Sequence, residues 1–128
     1  MDTPSTRPLL DKLGVKQGQR VALIGKFDGD FVEQLRARGA TVSRRRVRDA
    51  DQIFFAANAT ADLGKLDEIK TDLRKDGSLW VVRPKGVKTI TESQTQQAGL
   101  DAGLVDIKVV SFSATHTAEK FVFRLKDR

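Results

Sequence analysis

Cysteine is absent from this sequence, and histidine and tryptophan occur once each. Without cysteine there can be no disulfide bond, no thiolate nucleophile and no zinc–thiolate centre. One histidine, His116, leaves almost no room for a histidine-based metal site, and a general base also needs a partner that orients it. We therefore predict no metal site and no catalytic residues, and we expect His116 to be a solvated loop residue.

Long apolar runs are also missing. No run approaches the roughly 20 residues that a helix needs to cross a bilayer. The first eight residues lack the apolar segment of a signal peptide. These absences predict a cytoplasmic protein with no membrane partner.

The composition that remains is that of one charged domain. The chain has 128 residues, 31% of them charged, and a net charge of +6. This length suits a single core. We predict a flexible polar tail at residues 1–7 and a single α/β domain at residues 8–128. The positive charge favours acidic partners such as nucleic acid, or it serves only solubility.

The hydrophobic pattern predicts a mainly parallel sheet. Continuous apolar runs within residues 20–25, 52–58 and 77–86 are typical of strands buried on both faces. Helical patterns separate them, which indicates right-handed parallel crossovers. Residues 105–112 and 120–125 alternate, as an antiparallel hairpin does. The prediction is an α/β three-layer sandwich with the hairpin at one edge of the sheet.

Local signals refine this prediction. Asp30 with Glu33, and Thr91 with Gln94, form the pattern of a capping box at a helix start. The helix over residues 63–73 should end at residues 75–77. Trp80 is expected in the core. Residues 40–48 suggest a weak edge strand that carries several arginines.

Four segments carry a family resemblance: residues 9–18, 21–25 and 77–85, and the closing hairpin. Together they resemble a shortened class I methyltransferase, which implies a Rossmann-like fold. Residues 83–86, 98–100 and 103–109 more closely resemble a small bacterial family, catalogued as a domain of unknown function, that brings no known activity.

Departures from the methyltransferase pattern bear on the cofactor. The resemblance places Leu23 where an acid is usual and Phe27 where a second glycine lets the backbone approach S-adenosylmethionine. It also calls for an acidic residue at the end of the second strand, where Arg44 and its basic neighbours stand. We therefore expect no cofactor. The resulting prediction is a non-catalytic binding or interaction domain on a degenerate methyltransferase-like scaffold.

Two alternatives remain. In the first, the carboxyl edge of the sheet binds a small anion such as a phosphate or nucleotide, as an enzyme or a sensor. The predicted ligand-binding residues are Gly25, Lys26, Asn58, Arg83, Lys85 and Gly86.

In the second alternative, an arginine cluster on the second strand binds nucleic acid weakly. The same arginines could instead protect a sheet edge from aggregation. The cluster consists of Arg44, Arg45, Arg46 and Arg48. An unpaired second strand could also pair with another copy, so a homodimer is a further hypothesis.

Overall fold

The computed structural model describes residues 8–128, so the tail predicted at residues 1–7 lies outside the described part. The described strands form one six-stranded sheet. They are β1 (Arg20–Ile24), β2 (Thr41–Ser43), β3 (Ala50–Ala56), β4 (Leu73–Pro84), β5 (Leu104–Ser111) and β6 (His116–Phe123). The helices are α1 (Leu9–Leu13), α2 (Gly29–Ala37), α3 (Leu66–Ile69) and α4 (Glu92–Asp101). Short 3₁₀ segments occupy Thr60–Lys65, Lys70–Asp72 and Leu125–Asp127.

The strand order is β2-β1-β3-β4-β6-β5. Strands β2, β1, β3 and β4 are parallel, whereas β6 pairs antiparallel with both β4 and β5. This confirms the predicted Rossmann-like α/β fold with an antiparallel hairpin at one edge. It also confirms that the second strand is an edge of the described sheet, although β2 is only three residues long.

Two apolar clusters cover the two faces of the sheet. One packs α1 and α2 against β1, β3 and β4, and the other packs α3 and the Ile90 and Ala102 ends of the α4 region against the opposite face. Trp80 is fully buried in the first and stacks on Phe54, with ring centroids 6.2 Å apart. Its Nε1 donates to Oε1 of Gln52 at 2.8 Å, so its one polar atom is satisfied.

Gly99 lets helix α4 pack directly against the ring of Phe121 on β6. A Cβ at Gly99 would lie 2.6 Å from Cδ1 of Phe121 on β6, and closer still to Cε1. Thr91 begins the helix, and it forms the predicted capping box with Gln94: each side chain accepts from the other residue's backbone N–H. The predicted start of α4 is thus confirmed, and Gly99 fixes its height above the strands.

The end of the next predicted helix is wrong. Residues 60–72 are helical, as consecutive 3₁₀, α and 3₁₀ segments, but the helix ends at Asp72 and not at residues 75–77, because β4 begins at Leu73. Leu73 pairs with Ala50 in the parallel ladder, and Gly77 leaves room for the carbonyl of Asp51. Strand pairing here outweighs local helical spacing.

The capping box predicted at Asp30 does not form. Helix α2 begins at Gly29 after Asp28, and the carboxylate of Asp30 accepts instead from Nε2 of Gln34 at 2.9 Å. Glu33 pairs with Arg36 one turn along. Among the described helices, none is long and apolar enough to span a membrane.

Candidate functional site: a cleft at the carboxyl edge of the sheet

A cleft of about 430 Å³ opens where β1, β3 and β4 end and the β5–β6 hairpin folds over. This volume is within the range of small-molecule sites, and the carboxyl ends of parallel strands are where open α/β sheets bind ligands. We call it the carboxyl-edge cleft. Its lining residues are Lys26, Phe27, Asp28, Ala56, Asn58, Val82, Phe112, Ser113, Thr115 and His116.

The loop after β1 forms the first wall. Gly25 has φ +103°, and a Cβ there would lie 2.9 Å from Cβ of Ala56, so the approach of β1 to β3 already requires glycine. Phe27 follows with its ring 8% exposed, packed at 5.8 Å from Phe31 and 6.2 Å from Phe112 between centroids. An Nη2 of Arg44, directly after β2, donates to the carbonyl of Phe27 at 2.9 Å. The loop after β1 is thus fixed against the core by the Phe27 ring and by the hydrogen bond from Arg44.

The turn after β3 forms the second wall and carries Asn58. The carboxylate of Asp62 accepts from the backbone N–H of Asn58 at 2.9 Å and of Ala59 at 3.1 Å. These bonds hold the pKa of Asp62 below its ordinary value, because they stabilise the ionised form. Thr89, in the loop after β4, donates to the carbonyl of Asn58 at 3.1 Å. The backbone of Asn58 is therefore fixed from both sides, while its side chain lines the cleft.

The β5–β6 hairpin forms the third wall. Oγ of Ser113 accepts from the backbone N–H of Thr115 at 3.2 Å and of His116 at 3.1 Å. It also lies 3.3 Å from Oγ1 of Thr115, which lies 2.8 Å from Nδ1 of His116. His116 is the first residue of β6 and pairs with Pro84. The prediction that His116 lies in a loop is therefore wrong, because it lies in β6.

The hydroxyls of Ser113 and Thr115 link the hairpin to the histidine ring. A hydroxyl has two acceptor sites and one hydrogen. Both acceptor sites of Ser113 are taken by backbone N–H groups, so in its contact with Thr115 the Ser113 hydroxyl is the donor. Thr115 keeps one acceptor site and its own hydrogen, so it can either donate to Nδ1 of His116 or accept from Nδ1–H. In both arrangements Nε2 is the ring nitrogen that Thr115 does not engage.

A buried ion pair lies on the opposite side of β4. Nη1 of Arg83 donates to Oε1 of Glu119 at 2.6 Å, and the two side chains are 6% and 0% exposed. Oε2 of Glu119 is buried with no hydrogen-bond partner. Burial raises the pKa of Glu119, and the Arg83 guanidinium offsets part of that rise. Arg83 also lies 3.9 Å from the exposed carboxylate of Glu92.

The structure therefore divides the predicted ligand-binding residues into two groups. Lys26 and Asn58 line the carboxyl-edge cleft. Arg83, Lys85 and Gly86 line a separate cavity of about 290 Å³ beside the start of α4. The ammonium of Lys85 donates to Oγ of Ser111 at 2.8 Å. Gly25 lines neither cavity. The structure thus does not bring all six residues into one pocket, because Arg83 points to the α4 face of the sheet, where it pairs with Glu119.

The arginine cluster is also placed differently from the prediction. Strand β2 ends at Ser43, so Arg44, Arg45, Arg46 and Arg48 lie in the loop that follows. Arg46 pairs with Glu68 and Asp72, and the hydrogen bond that it donates to Asp72 raises its pKa. Arg44 is bound to the Phe27 carbonyl. Two of the four guanidinium groups thus have intramolecular partners.

Sequence reasoning missed the aromatic wall of the cleft, the role of His116 within it, and Glu119. The alternating strand is predicted to begin at residue 120, so Glu119 falls in the predicted hairpin connection, whereas β6 begins at His116. A signal for Glu119 was its place between Ala118 and Phe121, both buried, beside a partner strand that carries Arg83. In the part of the chain that the structure describes, no group of three acidic or histidine side chains could hold a metal ion.

Comparison with solved structures identifies the fold. The chain is similar to a SAM-dependent methyltransferase from Aquifex aeolicus, with TM-score 0.71, 17% identity, and 88% of this chain and 86% of that chain covered. It is similar to a ribosomal protein L11 methylase from Lactobacillus delbrueckii subsp. bulgaricus, with TM-score 0.68, 12% identity, and 91% and 75% covered. A TehB-like SAM-dependent methyltransferase from Corynebacterium glutamicum gives TM-score 0.60, 13% identity, and 91% and 85% covered.

No family model matches the chain, and no curated protein does. The likeness to solved structures, at these identities, establishes the fold alone. The chain therefore has a methyltransferase-like Rossmann domain, and its function has to be argued from its own residues.

The residues at the ends of β1 and β2 fit S-adenosylmethionine poorly. The Phe27 ring stands where the resemblance requires a second glycine, and the Phe27 carbonyl is already bonded to Arg44. The end of β2 offers that guanidinium in place of a carboxylate for the ribose hydroxyls. No step through this cofactor can be derived from these residues.

Proposed function

We propose that this chain is a non-catalytic binding domain on a methyltransferase-like scaffold, with a small molecule as the ligand of its carboxyl-edge cleft. The ligand is not S-adenosylmethionine. One residue carries the proposal: Phe27 closes the loop that would approach the cofactor, and the same ring forms a wall of the neighbouring cleft. The scaffold thus has a pocket next to the loop after β1, and the Phe27 ring occupies the space at that loop that a glycine would leave open.

The polar groups of the cleft support binding more than catalysis. Oγ of Ser113 accepts hydrogen bonds from two backbone N–H groups, so its lone pairs are engaged and it is not an available nucleophile. His116 has Thr115 on Nδ1, but Nε2 has no carboxylate hydrogen-bonded to it among the described residues. These groups can recognise a ligand without activating a nucleophile.

The nucleic-acid alternative has weaker support. Phosphate binding needs free guanidinium groups, and those of Arg44 and Arg46 are engaged within the fold. Arg45 and Arg48 alone make a small basic patch, and no aromatic platform accompanies them. We therefore favour the small-molecule ligand.

The test is a titration followed by amide NMR spectra of ¹⁵N-labelled protein. One arm uses S-adenosylmethionine, and the other uses a fragment set that contains anionic, neutral and cationic aromatic compounds. We expect no saturable shift with the cofactor, and saturable shifts at Phe27, Asn58 and Phe112 with at least one fragment class. Saturable cofactor shifts at Gly25 and Arg44, or a cleft that no fragment perturbs, would refute the proposal. A short single-stranded DNA at low salt serves as the third arm and reports on the alternative.

A further inference from the structure

We infer that the ligand of the carboxyl-edge cleft is a small aromatic acid, that is, an aromatic ring that carries a carboxylate or phosphate group. This inference rests on the proposed function, since it names the class of molecule that the same cleft recognises. The cleft has an apolar aromatic part and a part that presents hydrogen-bond donors, and both are needed to choose this class.

The apolar part is built from two rings and two small side chains. Phe27 and Phe112 meet edge to face, with centroids 6.2 Å apart and planes at 68°. Val82 and Ala56 complete this surface at the ends of β4 and β3. Phe31 packs against both rings from the core side, with centroids 5.8 Å from Phe27 and 4.9 Å from Phe112, so the cleft borders the outer surface of an aromatic cluster. A further ring can pack on that surface in offset or edge-to-face geometry, which favours an aromatic body over a flexible chain.

The polar part presents donors. Because Thr115 lies at Nδ1 of His116, Nε2 is the ring nitrogen from which a ligand would accept. Lys26 has an ammonium with no hydrogen bond or ion pair in residues 8–128, and the side-chain amide of Asn58 is equally unpartnered there. Three donors, one of them charged, suit an anionic oxygen group, since charge-assisted hydrogen bonds are the strong ones.

One carboxylate that lines the cleft disfavours an anionic ligand. Asp28 lines the cleft, and it stands immediately before the first residue of α2. The partial positive charge at a helix N-terminus offsets an acidic residue in that position. The helix thus offsets part of the Asp28 charge, whereas the exposed ammonium of Lys26 has no ion pair among residues 8–128. An anionic ligand supplies the counter-charge.

The volume of the carboxyl-edge cleft agrees with a small aromatic acid. The cleft holds about 430 Å³, which is enough for one ring with its acid group and too little for a dinucleotide. A free inorganic anion would leave the apolar part unfilled, and a neutral ring would leave Lys26 unpaired.

The experiment compares four probes by NMR titration: benzoate, phenyl phosphate, benzyl alcohol and inorganic phosphate. We expect benzoate or phenyl phosphate to shift the side-chain ¹⁵N signals of His116 and the amides of Phe27 and Phe112 saturably. Benzyl alcohol should bind at least about tenfold more weakly, and inorganic phosphate should not saturate. The stronger of the two acids identifies the headgroup.

Variants separate recognition from a general charge effect. Lys26→Gln and His116→Gln should each weaken binding of the acid about tenfold, since each removes one hydrogen bond to a charged group. Lys88→Gln removes an exposed charge outside the cleft and should leave the affinity unchanged. Amide spectra of each variant check that it is folded.

The outcomes distinguish this inference from the proposed function. If benzyl alcohol binds in the cleft as tightly as the acids, the ligand class is wrong and the binding function stands. Equal losses for Lys26→Gln and Lys88→Gln would also overturn the class. If none of the four probes shifts a cleft residue while another fragment does, the class again fails alone. A cleft that responds to no fragment overturns both.

Discussion

Replacing Arg83 by methionine should destabilise the protein strongly, and replacing Glu119 as well should restore most of the loss. The Arg83 and Glu119 side chains are 6% and 0% exposed, so neither charge is solvated and each depends on the other. Removal of one member of a buried pair typically costs about 3–5 kcal/mol, because the remaining charge is left uncompensated. We expect a loss of that size for Arg83→Met near neutral pH. Oε2 of Glu119 already lacks a hydrogen-bond partner, so nothing else stabilises the carboxylate.

The double variant tests this reasoning directly. Replacement of both members of a buried pair by apolar residues of similar volume is often neutral or stabilising. Arg83→Met combined with Glu119→Leu should therefore return to within about 1 kcal/mol of the wild type, or exceed it. As a control, Arg36→Met breaks a pair whose side chains are 54% and 73% exposed, and it should cost no more than about 0.5 kcal/mol.

The pH dependence gives an independent check with a definite sign. Folding raises the pKa of Glu119 above its ordinary value of 4.5, so the folded protein binds this proton more tightly than the unfolded chain does. The stabilising contribution of that proton is fully present below 4.5 and is lost as the pH rises through the raised value. Without Arg83 that pKa rises further. The deficit of Arg83→Met should thus be larger at about pH 7.5 than at about pH 5.

Urea unfolding followed by tryptophan fluorescence provides the assay. Trp80 is the only tryptophan and is fully buried, so its emission reports global unfolding. A cost below about 1 kcal/mol for Arg83→Met, or a double variant no more stable than the single one, would refute the structural role of the pair. Loss of ligand binding with unchanged stability would instead support the prediction from sequence that Arg83 binds an anion.

Three further predictions concern helix packing, capping and the histidine tautomer. Gly99→Ala should cost about 1–3 kcal/mol in the same urea assay because its Cβ overlaps a ring on β6, whereas Gly64→Ala, with nothing within 4 Å, should be nearly neutral. Thr91→Ala should cost about 0.5–2 kcal/mol through loss of the α4 cap, and Thr91→Ser should retain most of it; equal losses would contradict the capping role. A two-bond ¹H–¹⁵N spectrum of His116, unambiguous because it is the only histidine, should show hydrogen on Nε2 when the ring is neutral, and Thr115→Val should admit the Nδ1–H form. A wild-type ring with hydrogen on Nδ1 would show that Thr115 accepts from His116, and it would contradict the Nε2–H donor inferred for the cleft.

The division of the six predicted ligand residues shows where sequence reasoning ends. Residues at the carboxyl ends of neighbouring strands share an edge, and this correctly brings Lys26 and Asn58 into one cleft. Successive strand residues, however, point to opposite faces. Val82 therefore lines the cleft while Arg83 packs under α4, and only the register of β4 decides which does which.

The fold could be predicted because its signals are local in the sequence. Continuous apolar runs at β1, β3 and β4 indicate burial on two faces, and the cap at Thr91 satisfies N–H groups at a helix start. Alternation indicated the antiparallel hairpin, but β6 is buried on both faces, because it lies between β4 and β5.

The chemistry of the charged side chains depends on partners that are distant in the sequence. The partners of Arg83, Arg44 and Arg46 lie 36, 17 and 26 residues away in the chain, at Glu119, Phe27 and Asp72. A charge in a sequence is equally consistent with solvent, a ligand or a buried partner. The choice depends on desolvation, which is a property of the assembled neighbourhood and has no counterpart in local sequence.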